Sequence, residues 1–366
     1  MVTNINDNKP KITFPYWGNY TIAFEALAKG LGLDVIPPEK TNQKAIEKGA
    51  KIAPEMYCFP LKVNLGNYLE AIEKGADTIL MATALGGSCR LRYYANIQEK
   101  VLLENEKKVD FITFDQSPRD IYKKVKEISQ ASFLKILKAF WFGYKKLRMI
   151  EKLEKKAQFL RPREKNKGET DRILIVIFGK LRKIENLRDL KKLEKEIWQK
   201  ISKIEIKKRD VPKIGIVGEI YTVSDPVINF GVEKKLGENG MEVHREMDLT
   251  YHLKKKIFPW KDWQIQKKIN PYLKSTVGGH GRDAIYEMLN YVKKNFDGVI
   301  HLLPAMCMPE VTVRPILEKI HQESGIPFLS LSLDEQAAEA GIDTRLEAFV
   351  DVFRNYHQTK HLTSNI

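Results

Sequence analysis

Short apolar runs that read as strands alternate with stretches of helical periodicity at both ends of the chain, and no other feature restricts the fold as much. In the first part Lys11-Ile12-Thr13-Phe14, Asp34-Val35-Ile36, Thr78-Ile79-Leu80-Met81 and Phe111-Ile112-Thr113-Phe114 read as strands. Between them helices are expected at about 19–31, 41–51, 63–74 and 94–105, stopped by Gly32 and Gly75. In the last part the strands are Ile214-Gly215-Ile216-Val217-Gly218-Glu219, Glu242-Val243-His244, Val299-Ile300-His301-Leu302-Leu303 and Phe328-Leu329-Ser330-Leu331-Ser332. Helices are expected there at about 227–239, 286–294, 312–324 and 344–355. Strands alternating with helices of this length imply parallel sheets covered on both faces. The expected class is α/β, with two Rossmann-like or flavodoxin-like parallel-sheet domains.

The middle of the chain is different. From 119 to 206 the periodicity is helical and heavily charged, as in Phe133-Leu134-Ile136-Leu137-Phe140-Trp141 and Leu187-Leu190-Leu193-Ile197-Ile201. The apolar run Ile173 to Phe178 has flanks that favour buried helical turns over a strand. The predicted division is an N-terminal α/β domain (1–118) with Cys58 and Cys89, a basic helical insert or linking domain (119–212), and a C-terminal α/β domain (213–366) with Cys307. The formal net charge of +15 gathers mainly in that insert, where a solvated helical surface outweighs a nucleic-acid groove. A hydrophobic content of 43% argues against global disorder. No apolar run reaches the roughly 18 residues of a membrane span, and the polar start lacks a signal-peptide stretch. The expected address is cytoplasmic, with no membrane partner.

Three cysteines remain to be explained, and each sits in a loop punctuated by Gly or Pro: Cys58 before Phe59-Pro60-Leu61-Lys62, Cys89 after Gly86-Gly87-Ser88, and Cys307 before Met308-Pro309-Glu310. An odd number in a reducing compartment makes a disulfide framework a poor reading. No Cys-x-x-Cys pair is present, which counts against zinc ribbons and ferredoxin-type runs. Cys89 and Cys307 follow strands, where ligands of open α/β sheets collect, and Cys58 precedes a helix whose N-terminus favours a thiolate. A cubane held by three thiolates fits these counts, and three unrelated buried thiols fit them too.

Neighbouring residues add candidates. Lys62, Arg90 and Glu310 place charge beside the thiols, where it would tune a cluster. The loop Gly278-Gly279-His280-Gly281 ahead of a helix suits close backbone approach or an anion, and equally a plain glycine turn. Glu219 ends a strand on the expected ligand side. Asp225, before Pro226, reads as a cap or turn residue, and Asp334 as a helix N-cap. His244, His252 and His301 show no metal-ligand spacing, and no Ser/His/Asp arrangement is recognisable.

Several of these segments, taken in order, resemble a known family. Cys58-Phe59-Pro60-Leu61-Lys62 with Asn64-Leu65-Gly66-Asn67, Cys89-Arg90 with Tyr93-Tyr94, Val217-Gly218-Glu219-Ile220-Tyr221, the Gly-Gly-His-Gly loop, Cys307-Met308-Pro309-Glu310 and Arg345 to Asp351 are similar to segments of the 2-hydroxyacyl-CoA dehydratase activase-related proteins. These CoA protein activases are relatives of the dehydratase subunits and of double-cubane cluster proteins. The resemblance implies a 4Fe–4S iron–sulfur cluster on Cys58, Cys89 and Cys307 with one iron open. It also implies an anaerobic source and an ATP-dependent activase partner of the actin/Hsp70 superfamily. A double cubane would require six cysteines, hence a homodimer or a related cysteine-bearing subunit. The Gly-Gly-Ser-Cys-Arg-Leu-Arg segment departs from the Gly-Pro-Cys-Arg expected there, and the chain has no phosphate loops of the ATPase type. The functional expectation is the reductase component of an ATP-coupled electron-transfer system. A dehydratase subunit is the alternative, and a binding protein using the basic insert the third.

Overall fold

The computed structural model describes residues 10–83, 89–115, 117–258 and 260–363. Gly86-Gly87-Ser88 and the first nine residues, to which some expectations above refer, lie outside them. The chain divides into two compact units, one of Met1–Ile150 with Phe178–Glu194, the other of Glu151–Ile177 with Lys195–Ile366.

The first unit begins with β1 (Lys11–Thr13), α1 (Thr21–Leu31), β2 (Asp34–Val35), α2 (Gln43–Ile52), α3 (Phe59–Glu73) and β3 (Thr78–Thr83). A 3-10 turn (Arg90–Tyr93), α4 (Tyr94–Glu104), β4 (Asp110–Asp115) and α5 (Pro118–Ser129) follow. Its sheet is parallel throughout, in the order β2-β1-β3-β4. Local chemistry sets the boundaries. Gly32 ends α1 in the left-handed region (φ 86°), Asn42 accepts the Ala45 N–H to start α2, and the Ser117 hydroxyl accepts the Asp120 N–H to start α5.

Three long helices come next: α6 (Phe133–Leu160), α7 (Glu169–Lys183) and α8 (Leu187–Ile201). The apolar run Ile173 to Phe178 lies inside α7, in keeping with its helical reading.

The second sheet repeats the plan of the first. Its elements are β5 (Lys213–Gly218), α9 (Ile220–Ser224), α10 (Val232–Glu238), β6 (Glu242–Arg245), α11 (Leu249–Ile257), α12 (Trp260–Ile269) and α13 (Gly281–Lys293). Then come β7 (Gly298–Pro304), α14 (Met308–Ser324), β8 (Phe328–Leu333) and α15 (Glu339–Thr363). The order β6-β5-β7-β8 is again all parallel. Every residue of β7 is buried, as a central strand covered on both faces requires. Its core is built from Val217, Val299, Ile285, Met288, Tyr291, Val313, Leu317 and Ile320.

Several expected boundaries shift. The helices after Cys58 and Cys307 start at Phe59 and Met308, several residues earlier than predicted, because Pro60 and Pro309 occupy the first helical turn, where no backbone N–H is needed. Of the helix expected at 227–239 only α10 (Val232–Glu238) forms, starting after the left-handed Gly231 (φ 64°), and the short α9 (Ile220–Ser224), ahead of Asp225-Pro226, has no counterpart among the expectations. Helix α13 reaches back to Gly281. Helices α11 and α12 have no counterpart among the sequence expectations. Asp334 caps no helix: its carboxylate accepts the Gln336 N–H (2.9 Å) in a turn, and α15 starts only at Glu339.

Candidate functional site

In both sheets the strand order reverses between the first and third strands, and the crevice beyond their carboxyl ends is where ligands of such folds bind. The predicted residues fall at these two places. In the first unit Cys89 follows β3 and caps the 3-10 turn, half-buried. Cys58 caps α3 in extended geometry (φ −68°, ψ 150°), is buried, and makes no side-chain capping bond. The N–H groups and dipole of the first turn of α3 therefore favour its thiolate.

Two contacts bring these cysteine segments together. The Tyr94 hydroxyl, at the start of α4, hydrogen-bonds the Cys58 Sγ, with both residues buried. Arg90 donates from Nη1 to the Met56 carbonyl (2.5 Å) and lies 5.3 Å from the Tyr57 ring centre. Arg90 thus sits beside both cysteine segments. Lys62 lies half-buried in the second turn of α3. Its helix is held very close to α2: a Cβ on Gly49 would stand 2.6 Å from the Gly66 nitrogen, and one on Gly66 would overlap the Ala45 carbonyl.

In the second unit Cys307 is the buried cap of α14, with Met308 and Pro309 repeating the Phe59-Pro60 arrangement. A left-handed, exposed methionine precedes each capping cysteine, Met56 (φ 63°) and Met306 (φ 61°). Glu310 is fully buried and turns toward the sheet. Its Oε2 meets His301 Nε2 at 3.0 Å, and its Oε1 has no hydrogen-bond partner among the described residues. His301 Nδ1 is in turn 3.2 Å from the Ser330 hydroxyl on the paired strand β8.

Glu219 caps α9, accepting from the Tyr221 N–H (3.0 Å), the Thr222 N–H (2.9 Å) and the Thr222 hydroxyl (3.0 Å). Burial pushes its carboxyl above the ordinary carboxylate range and the Glu310 charge adds to that, against the pull of these donors. Asp225 is buried and accepts the Val227 N–H (2.9 Å), the turn role expected of it.

The Gly-Gly-His-Gly loop resolves into a close approach. Gly278 (φ 77°) and Gly279 (φ 50°) turn the chain, and Gly281 has no room for a Cβ, which would lie 2.9 Å from the Pro309 carbonyl and 2.8 Å from Val313. His280 caps α13. Its Nε2 is 3.0 Å from His252 Nε2, and its Nδ1 is 3.9 Å from Glu219 Oε1. Burial, followed by His252 and Lys255, holds His280 well below the usual imidazole range, so the ring is neutral at physiological pH. Tyr94, His252 and His301 are partners here that spacing and motif do not reveal. A lone histidine in a strand of otherwise apolar residues is the one available signal, since a fully buried imidazole needs partners.

Among the described residues no three His, Cys, Asp or Glu side chains gather as a ready-made site for a single metal ion. Within each unit the donor chemistry suits a soft, thiolate-bound group nonetheless: in the first, Cys58 caps a helix N-terminus with the Tyr94 hydroxyl on its sulfur and Arg90 beside its segment, and Cys89 is half-buried; in the second, Cys307 caps a helix N-terminus.

A family model for the CoA enzyme activase uncharacterised domain matches residues 12–248. A second model, for the 2-hydroxyglutaryl-CoA dehydratase D-component, matches residues 266–353. None of the curated proteins matches the chain. With the first model spanning more than half of its length and the second taking up the β7–Cys307–α14 segment, the chain belongs to the CoA enzyme activase family and is related to the dehydratase D-component.

Proposed function

We propose that this chain is the cluster-bearing reductase component of an ATP-coupled, low-potential electron-transfer system. Cys58, Cys89 and Cys307 supply thiolates to a 4Fe–4S cluster and leave one iron without a thiolate. The observation that carries this reading is the repeated cap: Cys58 and Cys307 each stand buried at the N-terminus of a helix that has Pro in its first turn. Two helix N-termini stabilise thiolates better than apolar burial would, which raises the thiol pKa. When bound, the cluster would accept one electron and offer its open iron to a small molecule. Arg90 and Lys62 offset thiolate charge, the Tyr94 hydroxyl donates toward Cys58, and burial holds the Glu219 carboxyl above the ordinary carboxylate range on the ligand side.

The electron would come from an ATPase of the actin/Hsp70 type docking on the chain, in a reduced cytoplasm. A double cubane would need a second chain or a cysteine-bearing subunit. The match of residues 266–353 to the dehydratase D-component favours a second reading, a subunit that dehydrates a 2-hydroxyacyl-CoA at the same iron. Acyl-CoA binding separates the two. The test of the cluster is anaerobic reconstitution with iron and sulfide assays, followed by EPR of the reduced wild type and the Cys89→Ser variant. A signal lost in Cys89→Ser is expected. A wild type that takes up zinc and no iron would refute the proposal.

A further inference from the structure

Helix α12 has two apolar faces, and the fold uses one of them. Ile265 and Ile269 are buried in the core of the second unit. Trp260 and Trp263, three residues apart on the opposite side, are 57% and 65% exposed. The same division recurs on α11. Tyr251 and Lys255 reach Asp283 (3.1 and 2.8 Å) and His252 reaches His280 (3.0 Å), while Leu253 and Ile257, four residues apart, stand outward at 45% and 67% exposure. Phe258 links the two pairs, its ring centre 4.9 Å from that of Trp260. Four large apolar side chains thus lie along one exposed stretch of a single unit, where folding alone gives them nothing to do.

Positive charge surrounds them. Lys254, Lys261 and Lys267 are exposed, with Lys261 5.8 Å from the Phe258 ring centre and Lys267 5.3 Å from that of Trp263. Between Leu249 and Asn270 the sequence has one acidic residue, Asp262, and Lys255 (3.3 Å) and Arg282 (2.9 Å) already hold it. The surface is apolar along its middle and cationic beside it.

We propose that α11 and α12 seat this chain on an anionic lipid surface, with Ile257, Trp260 and Trp263 entering the headgroup layer and the three exposed lysines meeting lipid phosphates. Tryptophan and aliphatic side chains beside lysines make up the helices that lie in a membrane interface, tryptophan settles at headgroup level, and each lysine near such a surface adds attraction. Other occupants fit less well. The centres of protein interfaces are depleted in lysine. A second copy of this chain would set the same lysines against each other across a two-fold axis, in a protein of net charge +15. A nucleic-acid strand would leave Leu253 and Ile257 without a partner. The expectation of no membrane partner rests on the lack of a spanning segment, and interfacial seating needs none: no helix of the described residues is long and apolar enough to cross a membrane.

The test is co-sedimentation of the full chain with vesicles of phosphatidylcholine alone and with vesicles of equal parts phosphatidylcholine and phosphatidylglycerol. Binding to the phosphatidylglycerol vesicles alone is expected, weakening as salt is raised. The double variant Trp260→Ser/Trp263→Ser should bind about a hundredfold more weakly, since two large side chains lose their burial, and should melt with the wild type because both are exposed. Ile257→Ser should weaken binding in the same direction. Vesicle binding that these variants leave unchanged would place the contact elsewhere on the basic chain and overturn the proposal, as would no binding at all. A wild-type dimer that the tryptophan variant dissolves, or an oligonucleotide held by the same residues while vesicles are not, would assign the surface to that occupant and overturn it too.

Discussion

The crossing of α2 and α3 gives a prediction whose sign opposes helix propensity. Gly66 lies in the interior of α3, where replacing glycine by alanine normally stabilises a helix by about 1 kcal/mol. Here the new methyl would overlap the carbonyl oxygen of Ala45 and stand 3.3 Å from its α-carbon, so the obstacle is the backbone of a neighbouring helix and cannot rotate away. Overpacking costs about 1–3 kcal/mol, and a backbone obstacle puts this case at the upper end, about 3 kcal/mol. The net loss in Gly66→Ala is then about 2 kcal/mol. At roughly 2–4 °C per kcal/mol for a unit of this size, the melting temperature falls by about 4–8 °C. Gly179, inside α7, has open space where a methyl would go, with nothing within 4 Å, so Gly179→Ala should gain about 1 kcal/mol from propensity alone. Calorimetry of the two variants and the wild type, all free of metal, reads both effects. A Gly66→Ala protein melting at or above the wild-type temperature would refute the close crossing.

Glu287 is pushed up to about 7 by burial, with the Glu246 and Asp283 charges adding to it. A raised carboxyl contributes stability that is complete below its unfolded value near 4.5 and is lost as pH rises through 7, on the order of 3 kcal/mol in all. Glu287→Gln should therefore compare better with the wild type at pH 8 than at pH 5 in urea unfolding, and an equal difference at both would count against it. Removing His301 leaves the fully buried Glu310 without its 3.0 Å partner, so His301→Leu should cost about 3–5 kcal/mol. Adding Glu310→Met should recover most of that. A double variant no more stable than His301→Leu would show that the pair is not the source.

The strands and the two-sheet plan are legible because apolar runs bounded by Gly and Pro survive in any context: β1, β3, β5, β7 and β8 all lie where the apolar runs predict them. The errors share a cause. Pro60 and Pro309 read as turns, although proline is also at home in a helix's first turn, so the expected starts of α3 and α14 fall late and the capping role of both cysteines is only half visible. Helices α11 and α12 are short and lysine-rich, with too little apolar periodicity to stand out. At the site, the residue types are legible and their company is not. Tyr94 on Cys58, Arg90 on Met56 and His252 on His280 join positions 28 to 36 residues apart, and only the completed sheet brings them together.

The way the two units share the chain has a consequence for biosynthesis. The first unit takes Met1–Ile150 and then, after a stretch belonging to the second, Phe178–Glu194. A ribosome-bound chain that has reached Ile150 still lacks part of α7 and α8 for that unit. At about 5–20 residues per second, several seconds pass before they emerge. During that interval the cysteines of the first unit are already outside the ribosome in an unfinished structure, and any group delivered to them must wait or be held by other means.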